Sequence, residues 1–360
     1  MRVPAIISCL ALASAAVLVA APATAAPVQP TCGSTLTEDT ALQADLTCAG
    51  PGLILGIGVD LDLNGHTLRG TAGGVGLAVL GQGTESITNG TVTGWDTAVR
   101  TVVVFEGPGV GPLLVDRVRF RNNGTGIDGT GDGGVGAKDM TISNSTFTNH
   151  SRVAVSAELI RVDVDHTNFS DNTVGYWGDT GSLATVTDSR FVRDARAVIV
   201  TEASATIERS SFVDNPKAVV GGGVVSSIVI TDSRLVGSDV AVNGTGAVST
   251  ITGSTFVSNS TAVQVGQFGG TISSNTFRAN QTTVALAEEL GTGVAVQDNT
   301  FRLNGDGLHL ETAGALLSVG GNNARNNTGW GINVPGATDL GGNTAKHNGN
   351  QPQCVGVVCS

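Results

Sequence analysis

The stretch Ile272-Ser273-Ser274-Asn275-Thr276-Phe277-Arg278-Ala279-Asn280 returns 24 residues later as Val296-Gln297-Asp298-Asn299-Thr300-Phe301-Arg302-Leu303-Asn304. Its skeleton is an aliphatic residue, an anchor five places on, and Asn or Asp three places beyond. Read outward from there, the phrase recurs with Phe147, Phe169, Phe191, Phe212 and Phe256 as anchors, and with Leu68, Val92, Phe120, Leu235, Ala324 and Ala345 in the same slot. Thirteen anchors span 277 residues in twelve steps, about 23 per step. Such a period marks a solenoid or propeller, in which each unit buries its apolar face against its neighbours. One elongated domain is therefore expected, although 360 residues would allow two ordinary ones.

Numbering each unit from its anchor defines a coil. Slot minus five is aliphatic in all thirteen units, from Leu63 to Leu340, and is expected to point inward. Slot minus two holds small or amide residues, among them Ser145, Ser189, Ser210, Asn275 and Asn299, on the interior face of the anchor's strand by period-two alternation. A bend at minus four and minus three then separates a preceding strand. Residues such as Ile127, Val198, Val242 and Val284 at plus seven mark a third strand. Slot plus three, with Asn172, Asp194, Asn215, Asn259 and Asn304, reads as an internal ladder of stacked amides. The 51 Gly and 14 aromatics (10 Phe, 3 Trp, 1 Tyr) suit short strands and tight turns.

This pattern resembles the right-handed parallel β-helix proteins of the pectate-lyase-like superfamily. The opening Val59-Asp60-Leu61-Asp62-Leu63-Asn64-Gly65-His66-Thr67-Leu68 is similar to the first coil of secreted bacterial members. The resemblance covers roughly residues 53 to 350. It implies an all-β right-handed parallel β-helix of about thirteen three-strand coils, acting on or binding extracellular polysaccharide. Residues 1–25 read as a signal peptide, 26–55 as an N-terminal cap, 56–350 as the β-helix and 351–360 as a C-terminal tail. Cys32, Cys48, Cys354 and Cys359 remain after the signal, an even number suited to an extracellular compartment. Sequence neighbours meet most readily, so Cys32 is paired with Cys48 and Cys354 with Cys359. Zinc is the alternative, with His347 near the second pair, but the spacing matches no standard ligand pattern.

Without Arg2 the chain has 18 basic and 30 acidic residues, a charge of -12, which argues against nucleic acid and anionic membranes as partners. No second apolar stretch is long enough to span a membrane, and a monomer is expected. The carboxylate motifs of the family's hydrolases are missing. Val164-Asp165-His166 matches only the tail of the phrase typical of its pectate lyases, and His66 reads as closing the first coil. Insertions are better guides to a cleft. The longest gaps hold Asp128 and Asp132, and the next coils supply Asp165, His166, Arg190, Tyr176 and Trp177. If the protein is an enzyme, a polysaccharide lyase or glycoside hydrolase, then Asp128, Asp132, Asp165, His166 and Arg190 are the catalytic candidates. Tyr176 and Trp177 would stack on sugar, and Ca2+ is a candidate ligand of the Asp run. Slot plus one places Arg278, Arg302, Arg325 and Lys346 outward in register, either for an anionic polymer or as a solvated face. Asp188 with Arg190 reads as a surface ion pair. The alternative function is a non-catalytic structural or adhesive surface protein.

Overall fold

A computed structural model describes residues 28–80, 83–102, 111–130, 139–223, 226–266, 268–286, 291–310 and 314–360. Every strand pairing is parallel, each strand lying beside its equivalent one repeat away. A middle rung shows the plan: a first strand Arg161–Asp165, a second Asn168–Ser170 and a third Val174–Asp179. Third strands build a 12-stranded sheet, and the first and second strands build the remaining walls. The chain is thus an all-β parallel solenoid with its core inside the stack. No helix among the described residues is long and apolar enough to cross a membrane.

The anchors meet in register, Phe147 opposite Phe169 and Phe169 opposite Phe191. Their buried rings stack with centroids 4.5 to 5.0 Å apart from Phe120 to Phe212 and again from Phe256 to Phe301. That distance is the strand spacing itself, so the hydrogen-bonded ladder brings the rings into contact. Two slots depart from the sequence reading. Leu61, and not Leu63, stands opposite Ile87, because the first coil carries two extra residues before its anchor. Leu340 is 53% exposed, since the ladder slips between Val319 and Gly320 and sets Asp339 opposite Val319.

Two corners hold each rung. At minus three the backbone is left-handed, at Asn144, His166, Asp188, Arg209 and Asp232 (φ 45° to 49°), and at plus two it is left-handed again, from Asn122 to His347. Each corner turns the chain and exposes one side chain, while the next residue points inward. Inward residues at plus three form the expected amide ladder. Asn304 Oδ1 accepts the N–H (2.9 Å) and Nδ2–H (3.1 Å) of Asn280, and Asn327 repeats the contact on Asn304. Gln353 Oε1 ends the column by accepting from Asn348.

A second ladder runs through slot minus two. Ser210 Oγ accepts the Ser189 N–H at 3.2 Å, Ser233 accepts from Ser210, Ser254 from Ser233, and Asn275 from Ser254. Ser210→Ala is expected to cost about 1–2 kcal/mol in urea or thermal unfolding, because it orphans a buried N–H without removing much volume. Both ends are closed by disulfides, Cys32–Cys48 and Cys354–Cys359, as expected.

Candidate functional site

The corner between first and second strands carries the densest charged network. Side chains at minus four and minus three leave adjacent rungs outward and meet their counterparts one rung away. His166 Nδ1 lies 2.7 Å from Asp165 Oδ2, and Thr187 Oγ1 donates to Asp165 Oδ1 at 2.7 Å. Asp188 sits one rung on, gripped by Arg209, whose Nε lies 3.1 Å from Oδ1 and whose Nη2 lies 2.9 Å from Oδ2. Arg209 Nη1 also reaches Glu208 at 3.1 Å. Asp165, His166 and Asp188 each present an atom within 4.8 Å of the others.

Local electrostatics follow from these contacts. The hydrogen bond from Thr187 holds Asp165 below the usual carboxylate range, helped by His166. Arg209 does the same for Asp188. The hydrogen bond and charge of Asp165 raise His166 above the ordinary imidazole value. When Nδ1–H points at the carboxylate, Nε2 is left to face solvent and a ligand. The same corner continues toward the N-terminus, where Ser143 and Asn144 donate to Asp116 (both 2.8 Å) and Arg117 pairs with it at 2.6 Å.

Of the candidates from sequence, the structure brings Asp165 and His166 together and places Arg190 on the adjoining second strand Arg190–Val192. Asp188 pairs with Arg209 and not with Arg190, because position 188 turns along the corner while Arg190 projects from the strand beyond it. Asp128 lies on another wall. It stands in the third-strand sheet between Arg100 and Ser156, with Arg100 Nε at 3.2 Å. Asp132 lies outside the described residues. Tyr176 is fully buried, since it occupies the inward register between Val155 and Val198, and it cannot stack on a sugar. Trp177 beside it is 41% exposed, but on the third-strand wall.

Calcium does not fit this corner. It takes roughly six to eight oxygen ligands. Here Thr187 and His166 engage the two oxygens of Asp165, and Arg209 already neutralises Asp188. Arg209 and Asp188 were not among the sequence candidates. Lining up residues 21 apart would have shown them side by side.

A second feature lies on the outward flanks of the second strands. Arg278, Arg302, Arg325 and Lys346 are exposed and in direct register, as expected. Equivalent outward positions in earlier rungs hold Arg69, Arg119, Arg121, Arg190 and Arg234, also exposed. Arg119 and Arg121 border a shallow hollow of about 480 Å³ with Asn122, Thr148, Asn149 and Asp171.

Residues 66–235 match the family model described as the right handed beta helix region. The chain is a right-handed parallel β-helix. No curated protein matches this β-helix in sequence. Among solved structures it is similar to the A-module of the Azotobacter vinelandii mannuronan C-5 epimerase AlgE6, at 12% identity and a TM-score of 0.30, covering 91% of each chain. It is also similar to the tailspike protein of E. coli bacteriophage HK620 in complex with pentasaccharide, at 12% identity and a TM-score of 0.32, covering 89% of this chain and 69% of that one.

Proposed function

We propose that this β-helix is an exported protein that binds an extracellular polysaccharide at the corner formed by Asp165, His166 and Asp188. The observation that supports it is the convergence of these three groups from neighbouring rungs, within 4.8 Å and facing outward. Carboxylate oxygens accept hydrogen bonds from sugar hydroxyls, and the imidazole can donate or accept. The corner's backbone is fixed by hydrogen bonds on both sides, such as the His166 N–H to Thr187 O at 3.2 Å and the Asn144 N–H to Asp165 O at 3.2 Å. Groups pre-set in this way lose little freedom when a ligand binds.

The chemistry open to the corner is narrower than the sequence candidates suggested. A glycosidase needs a carboxyl held protonated as general acid. Asp165 and Asp188 are both held ionised, so neither fills that role. His166 is the proton carrier of the site, oriented by Asp165. Any cleavage there would run through the imidazole.

The test is a screen of the purified mature protein against neutral and uronate polysaccharides, following retention, reducing ends and unsaturated products. Retention by at least one polymer is expected, with a loss of about tenfold in affinity for His166→Ala. If His166→Ala and Asp188→Asn leave the retention of every polymer untouched, the site lies elsewhere.

A further inference from the structure

Half of the basic residues beyond Arg2 stand on one wall. The thirteen second strands from Thr67–Gly70 onward have 26 positions flanking their anchors; nine are the Arg and Lys named above, and the other 17 are all Thr, Ser, Asn or Val. No acid falls among these 26, although the chain carries 30 acids and a net charge of -11; only the preceding strand Leu46–Cys48 has one beside its anchor, Asp45.

Several cations elsewhere, unlike those of this face, are neutralised by acids. Arg100, Arg117, Arg193 and Arg209, on the corners and the third-strand wall, each pair with a carboxylate at 2.6 to 3.2 Å. Among the described residues, none of the nine face cations forms an ion pair. Like charges directly opposite one another destabilise a sheet. Arg278, Arg302, Arg325 and Lys346 nevertheless stand opposite one another on successive rungs. Charged residues often guard the free edge of a sheet. Here the strands Thr276–Arg278, Thr300–Arg302 and Asn323–Arg325 each have a neighbour on both sides, so edge protection does not account for them.

We propose that this second-strand face is a docking track for a linear anionic polysaccharide lying along the helix axis. It is a different surface from the Asp165–His166 corner and goes beyond the reading given for that corner. Rungs repeat at about 4.8 Å, close to the length of one sugar residue, so successive charged sugars meet successive rungs. Arg278, Arg302 and Arg325 take the anionic groups, for which the planar guanidinium fork is suited. The parallel column of Thr276, Thr300, Asn323 and Thr344 presents hydroxyls and an amide to the sugar hydroxyls. No aromatic side chain stands at the outward positions of these strands to stack a base, which favours a glycan over a nucleic acid.

The test uses the full mature chain, with polygalacturonate and its fully methyl-esterified form as probes. The ester keeps the backbone and removes the charge. Binding to the acidic form is expected to weaken with salt and to grow with oligomer length. It should fall by at least about tenfold in Arg278→Gln/Arg302→Gln/Arg325→Gln, and the ester should not bind. His166→Ala leaves this binding unchanged, which separates the track from the corner. The substituted side chains point outward, so the melting temperature should hold. If it falls, the affinity of single Arg302→Gln and the salt dependence of wild type replace the triple variant as the test, and salt-insensitive binding overturns the proposal. Equal binding by the triple variant, equal binding of the ester, or tighter binding of single-stranded DNA at the same salt would also overturn it.

Discussion

Asn304→Ala is expected to destabilise the protein by about 3–5 kcal/mol, the largest loss among the changes considered, because it strands several buried polar groups of the preceding rung at once. Asn304 Oδ1 accepts both the N–H and the Nδ2–H of Asn280, and its own Nδ2 donates to the Phe277 carbonyl at 3.1 Å. Alanine supplies neither acceptor nor donor, and Asn280 and Asn304 are each only 1% exposed, which leaves no room for water to substitute. Urea unfolding read by circular dichroism measures the effect. Thr300→Ala, on the outward side of the same rung, should stay within about 0.5 kcal/mol. Equal losses for the two would show that the amide column does not carry the stability assigned to it.

Asp194→Asn is expected to stabilise the protein by about 2–4 kcal/mol above pH 7 and to have no effect near pH 4. Asp194 replaces an amide in the same ladder. Its Oδ1 accepts from Asn172 N–H and Nδ2–H, both at 2.8 Å, but its Oδ2 is buried without a hydrogen-bond partner among the described residues. In neighbouring rungs that position is an Nδ2 donating to a carbonyl, Phe147 for Asn172 and Phe191 for Asn215. Burial pushes the Asp194 carboxyl up to about 7 from 3.8, and the protonated form supplies the missing donor. Between those values the folded chain holds a proton that the unfolded chain has lost, so this contribution declines as pH rises from about 4 to 7. His150, two rungs earlier in the column, behaves oppositely. Burial lowers it to about 4 from 6.5, so its contribution is lost as pH falls through that window. The two offset each other in wild type. Asp194→Asn should therefore leave a melting temperature that drops on acidification, and a variant that tracks wild type at every pH would refute the assignment.

The period, the three strands per rung, the amide column at plus three and both disulfides were legible because each repeats a residue type at a fixed slot or pairs sequence neighbours. The serine column at minus two was visible as small residues, but its hydrogen bonds were not, since the left-handed residue before it varies from Asn144 through His166 to Arg209. The ion pair of Asp188 and Arg209 escaped notice because sequence proximity suggested Arg190, whereas a solenoid makes residue 209 the true neighbour. Tyr176 and Trp177 look alike as candidate sugar platforms. Strand alternation buries the first and exposes the second. The cationic wall was read only in its last four rungs, where the phrase is most regular; Arg69, Arg119, Arg121, Arg190 and Arg234 extend it.

The most direct measurement of the central claim is the affinity of the β-helix for a panel of polysaccharides, taken side by side for wild type, His166→Ala and Asp188→Asn. At least one polymer should be retained by wild type, and both corner variants should bind it about tenfold more weakly with unchanged melting temperatures. Wild-type protein that retains no polymer, or corner variants that bind every retained polymer as wild type does, would contradict the account.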